Sequence, residues 1–250
     1  MSHAATIPTG LIAATAQAEP RKAPPPTPGK VAMWLFLATE VMFFTGLIGS
    51  YIVLRAGSPK FAYANLYSPG TTAEKIPTAI KNDPKLKQFT WPQPYDATTN
   101  PLSINLTAIN TFILICSSLT MVLALSAVQR GDQKNLTKWL AATVAIGVIF
   151  LAVQGFEYYE LMFGRHYPVG ISGTGHFRPS VSLFASCFFT MTGFHGAHVT
   201  GGVILLSCIL IQSLRGTYTK EHHSSVELAG LYWHFVDLVW IILFTVVYLV

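Results

Sequence analysis

Apolar residues in this chain are gathered into five long blocks, at about residues 31–55, 104–129, 137–161, 181–213 and 228–250. A helix needs about 20 apolar residues to cross about 30 Å of hydrocarbon, and each block supplies that. The pattern predicts an all-α, polytopic membrane protein: a bundle of five transmembrane helices over 31–250, preceded by a Pro-rich polar tail over 1–30. The first block opens after KAPPPTPGK, an extended stretch that keeps a helix from starting much earlier. The fourth block, 33 residues long, must tilt or project beyond the bilayer. The fifth runs to the last residue.

One long polar loop, 56–103, separates the first two helices. It carries seven prolines and five lysines and reads as an irregular surface excursion. The other connections are short: RGDQKN (130–135), FGRHYPVGISGTGHFRPS (163–180) and LRGTYTKEHHSS (214–225). Lys and Arg divide eight and eight between the two membrane sides. Most of one side's lysines lie in the long loop, which counts less, so a cytoplasmic N-terminus and a periplasmic C-terminus are favoured. The first thirty residues lack a signal-peptide pattern, so the first helix is expected to serve as its own insertion signal.

Composition excludes other classes. Only 27 of 250 residues are Asp, Glu, Lys or Arg, 11% against about 25% in soluble domains. Sixteen Phe, ten Tyr and five Trp are too much apolar material for a disordered chain. The net charge of +5 is scattered between apolar blocks, which argues against a nucleic-acid stripe. Cys116, Cys187 and Cys208 have no paired spacing and read as small buried hydrophobes.

Ionisable and amide groups inside spans are expensive and mark functional candidates. Glu40 lies mid-helix with Phe36, Phe43 and Phe44 on its face; it is either an uncharged carboxyl in an apolar setting or a hydrogen-bonded strut to a neighbouring helix. Gln154, Glu157 and Tyr158 share one helix face. His195 and His198 are one turn apart, as are His234 and Asp237, and Glu227 precedes His234 by two turns. These residues form the expected intramembrane polar network. Gly193, Ala197 and Gly201 form a small-xxx-small seam, suited to close helix approach. Metal binding is the weaker reading of the histidines: there is no Glu-x-x-His pair, HExxH or CxxC. No nucleophile arrangement, phosphate loop or dinucleotide fingerprint occurs, so no catalytic, cofactor-binding or metal-binding residue is expected.

Five blocks carry a resemblance: FLATEVMFFTG (36–46), INTFILICSS (109–118), LAVQGFEY (151–158), FFTMTGFHGAHVTGG (188–202) and HHSSVELAGLYWHFVDLVW (222–240). Together, in this order, they resemble subunit III of the haem–copper oxidases, in the short five-helix form of bacterial cytochrome c oxidase. The resemblance implies a non-redox subunit of a proton-pumping oxidase in the bacterial inner membrane. Haem and copper would belong to partner subunits I and II, with subunit I the main contact, a small subunit IV a further neighbour, and structural phospholipids bound. It implies support of subunit I and of proton uptake while oxygen is reduced to water. Glu40 matches the family's carbodiimide-reactive carboxylate, and Arg215, Lys220 and His222 match its basic lipid-headgroup residues. The long form's first two helices, a wall of its lipid cleft, are missing, and the stretch 60–88 is longer than the family pattern leads one to expect. Rival readings are subunit III of a quinol oxidase, a nitric-oxide-reductase-associated homologue, a stand-alone proton-coupled transporter and a membrane metalloenzyme.

Overall fold

The computed structural model describes residues 27–57, 102–164, 176–180 and 183–249. The Pro-rich tail up to residue 26 and the loop stretch 58–101 lie outside these. Five helices are long and apolar enough to cross a membrane: α1 (Pro28–Gly57), α2 (Ile104–Arg130), α3 (Gln133–Tyr159), α4 (Leu183–Leu214) and α5 (Ser224–Phe244). Helices α3 and α5 each end in a π-helical turn, Glu160–Gly164 and Thr245–Leu249. With its π turn the third span reaches 32 residues, as long as α4. At 1.5 Å per residue, each is about 48 Å of helix against about 30 Å of hydrocarbon, so two spans must tilt or project.

Helix starts fall where local chemistry allows rather than where apolar residues begin. Pro28 opens α1 because a fixed φ and a missing N–H suit the first helical turn. The N–H groups of Lys30 and Val31 donate to the Thr27 carbonyl at 2.9 and 3.2 Å. α3 begins at Gln133, four residues ahead of its apolar block. Asp132 caps it, accepting from the Asn135 N–H at 3.1 Å, so a polar first turn is stabilised. That bond, with the Asn135 side chain, holds the exposed Asp132 carboxyl below its ordinary value of 3.8. Between α2 and α3 the chain reverses at Gly131, whose φ of 79° is a left-handed conformation that glycine adopts without strain.

α2, α3, α4 and α5 form a closed ring of neighbours, and α1 lies outside it against α4 and α5. The core has two lobes stacked along the membrane normal. One, toward the start of α1, packs Leu114, Met121, Leu140, Phe150, Leu206 and Trp233. The other, toward its end, is largely aromatic: Phe44, Tyr51, Phe177, Phe184, Phe188 and Tyr248.

The close approach of helices does not use the expected seam. A Cβ on Gly193 or Gly201 would make only ordinary contacts, at 3.9 and 3.7 Å, and Ala197 is exposed. The tight positions are Gly147 and Gly202, where a Cβ would stand 2.7 and 2.9 Å from the Trp233 ring. Packing there admits a tryptophan side chain, not a second backbone.

Candidate functional site

The polar residues of the spans separate into distinct clusters. On α1, Glu40 reaches across to α4, where its Oε2 lies 2.9 Å from His198 Nε2. The two side chains are 17% and 19% exposed. The strut reading of Glu40 therefore describes its geometry. On its other side the His198 ring places Nδ1 2.7 Å from the Phe194 carbonyl oxygen. A carbonyl only accepts, so Nδ1 carries a hydrogen, and a neutral ring leaves Nε2 bare. One proton is then shared across the Glu40–His198 contact. The pair is carboxylic acid with imidazole, or carboxylate with imidazolium, and is neutral overall in either form. Aromatic rings surround it: Phe44 stands edge-on to His198 at 5.1 Å, Phe43 lies at 6.3 Å, and the Tyr232 hydroxyl donates to the His198 carbonyl at 2.9 Å.

A second cluster joins α2 and α5. The His234 Nδ1 lies 3.1 Å from Ser118 Oγ, and that hydroxyl donates to Asp237 Oδ2. The one-turn spacing of His234 and Asp237 thus converges on a single serine. A third cluster lies near the α3 terminus. Thr107 Oγ1 donates to Glu157 Oε1 at 3.1 Å, and the Tyr248 hydroxyl to Oε2 at 3.4 Å. Gln154, on the same helix, belongs elsewhere: its amide donates to the Thr192 carbonyl at 2.9 Å, and Tyr158 meets the Thr192 hydroxyl at 2.6 Å.

Two expectations need correction. Glu227 is not part of an intramembrane network with His234. It sits in the first turn of α5, half-exposed, paired with Lys30 at 2.8 Å, and so ties the start of α5 to the start of α1. His195 and His198 do not act as a pair either. Three residues of helix turn them about 60° apart, enough to aim His198 at α1 and His195 into the ring of helices. His195 is fully buried and stacked on Trp240 at 4.7 Å, and neither ring nitrogen has a hydrogen-bond partner among the described residues.

Arg215, Lys220 and His222 share the exposed turn between α4 and α5, on the membrane side where α1 begins. Gly216, with φ of 72°, reverses the chain there. The His222 N–H donates to Thr219 Oγ1 at 3.1 Å, and the Tyr218 hydroxyl donates to Gln212 at 2.6 Å. Burial pushes the Tyr218 hydroxyl above its ordinary value.

Sequence reasoning missed the hydroxyl partners. Thr107, Thr111 and Ser118 recur along one face of α2, a polar stripe within an apolar helix that was available as a signal. Tyr248 and Lys30 carried no such signal, because their partners lie 91 and 197 residues away in the chain.

A bundle of spanning helices with a half-buried carboxyl–histidine contact and buried carboxyl–hydroxyl contacts defines a polytopic membrane protein. Residues 27–250 match the family model for cytochrome c oxidase subunit III, and the chain belongs to that family. The chain is 36% identical over 216 residues to cytochrome c oxidase subunit 3 of Synechocystis sp., covering 86% of this chain and 72% of that one. It is 32% identical over 219 residues to the Alkalihalophilus pseudofirmus protein of the same name, covering 88% and 85%. Against that of Loxodonta africana it is 33% identical over 220 residues, covering 88% and 68%.

Proposed function

We propose that this chain is the non-redox subunit III of a proton-pumping cytochrome c oxidase in a bacterial inner membrane. It packs on subunit I, with subunit II and a small subunit IV nearby, and holds phospholipid. Haem and copper, carried by subunits I and II, supply the electron transfer and oxygen chemistry. This chain stabilises subunit I and sustains proton uptake. Its N-terminus is cytoplasmic and its C-terminus periplasmic.

The observation that carries this reading is the Glu40–His198 pair. A carbodiimide adds to a carboxylic acid, and the reaction needs that acid in an apolar place that the reagent can enter. In the acid–imidazole form of the pair, Glu40 suits both conditions: it donates its hydrogen to His198 Nε2, and phenylalanine rings stand beside it. Arg215, Lys220 and His222 stand at the membrane surface, where cationic groups meet lipid phosphate. The Lys30–Glu227 pair holds α1 against the bundle on that same side.

Two measurements test the proposal. Purification through a tag on this chain in mild detergent should bring a haem-containing subunit I in equal amount, with copper in subunit II. A lone chain without haem would overturn the assignment. Within the complex, a hydrophobic carbodiimide should label Glu40, and Glu40→Gln should abolish labelling while leaving oxygen reduction largely intact. Labelling that persists in the variant would refute Glu40 as the reactive carboxyl.

A further inference from the structure

Among the described residues, His195 is a fully buried ring with no hydrogen-bond partner on either nitrogen. Its face rests on Trp240 and the Phe150 ring meets it edge-on at 6.0 Å. A neutral imidazole has one N–H to give and one bare nitrogen to fill. Neither is satisfied by any described residue. In a low-dielectric interior, such a group costs more than an ordinary hydrogen bond returns, so buried polar atoms are normally paired with protein or with ordered water.

Two further acceptors without a hydrogen-bond partner lie on residues joined to the same aromatic pair. Asn110 donates its amide to the Phe150 carbonyl at 3.4 Å, and its Oδ1 has no partner among the described residues. Asp237, one turn before Trp240, takes the Ser118 hydroxyl on Oδ2, and its Oδ1 likewise has none. Trp240 itself bonds to Thr111, the residue after Asn110, at 2.9 Å. His195 thus offers one N–H and one bare nitrogen, and Asn110 and Asp237 each offer an oxygen, with no described residue to meet any of them.

We propose that His195, with Asn110 and Asp237, forms a binding site for internal water within the ring of α2, α3, α4 and α5. Water fits these atoms, since each molecule brings two donors and also takes up an N–H as an acceptor. A metal ion would use the same acceptors but cannot take the N–H, and among the described residues no three His, Cys, Asp or Glu are grouped to hold one. The hydrated site lies between the Ser118–Asp237 and Thr107–Glu157 contacts. It keeps the interior of the bundle polar through the middle of the membrane, where the expected single network is broken.

The test is a density map of the complex purified through this chain, at a resolution that displays ordered waters elsewhere in the bundle. The expected result is a peak about 2.6–3.2 Å from a His195 ring nitrogen that also reaches Asn110 Oδ1 or Asp237 Oδ1. The His195→Phe variant, which preserves stacking on Trp240, should lose that peak, and His195→Gln should keep one. A wild-type map with no peak at His195 overturns the proposal. So does a peak ringed by five or six ligands at about 2.0–2.6 Å, which is a cation. If His195→Phe does not assemble, the wild-type map decides alone.

Discussion

Gly202→Ala probes one of the two tight glycine contacts with Trp233. The added methyl would lie 2.9 Å from both Cε3 and Cζ3 of Trp233 and 3.2 Å from Tyr232 Cε1. The indole has little freedom to retreat. Its N–H donates to Ser117 Oγ at 2.9 Å, and a neighbouring edge of the ring already lies against Gly147. Overpacking by one methyl costs about 1–3 kcal/mol, and a ring held this way places the cost toward the upper end. Alanine's better helix propensity returns up to about 1 kcal/mol. The net expectation is a loss of about 1–2 kcal/mol, a factor of about 5–30 in the folded ratio. Graded SDS unfolding of the purified chain in mild detergent measures it. Gly201→Ala, next in sequence but facing only ordinary contact, should be neutral or slightly stabilising. Trp233→Phe is destabilising alone because it removes buried ring and orphans Ser117, yet it opens room for the new methyl. The double variant should therefore be better than the sum of the singles by at least about 1 kcal/mol. A neutral Gly202→Ala, or strictly additive singles, would refute the assignment of Trp233 as the obstacle.

The remaining predictions concern polar contacts. Thr107→Val should destabilise more than Tyr248→Phe, by about 1–3 kcal/mol against about 1 or less, because the threonine bond to buried Glu157 is 3.1 Å and the tyrosine bond 3.4 Å; equal losses in SDS unfolding would contradict this order. Lys30→Ala should cost no more than about 1 kcal/mol, since both partners are half-exposed, and the Lys30→Glu, Glu227→Lys swap should restore the loss at low salt. The Asp132 cap stabilises through a carboxylate whose folded-state value lies below 3.8, so its contribution is full above that pH and is lost as the pH falls below it. Unfolding of Asp132→Ala should accordingly be less sensitive to acid below about pH 4 than that of the natural chain, and an unchanged acid profile would count against the cap.

Helix number and rough position were legible because lipid imposes one requirement on every residue of a span, and composition alone answers it. Helix ends were less so. Asp132 and Pro28 set them by capping and by proline geometry, which an apolar count does not register. Site residues were legible as a set and misread as a network. The spacing of His234 and Asp237 predicted convergence, and Ser118 provides it. The same spacing at His195 and His198 led elsewhere, because 60° of divergence is enough to face two different helices when each helix has neighbours on several sides. Spacing along one helix fixes a direction; the partner depends on which helix stands there, and that is set by packing around Trp233 and Trp240. Glu227 was placed too deep for a related reason, since the polar turn that opens α5 begins four residues before its apolar block.

The Glu40–His198 contact also has an order in time. The two residues are 158 positions apart, and α1 enters the membrane long before α4 exists. At about 5–20 residues per second, the ribosome needs on the order of ten to thirty seconds to supply the histidine. Through that interval the growing chain carries a carboxyl near the bilayer centre without its partner, a cost of roughly 2.5–3.5 kcal/mol on insertion scales. Until then the apolar remainder of α1 has to offset that cost. The contact can close only after α4 arrives, and it then ties α1 to the rest of the bundle.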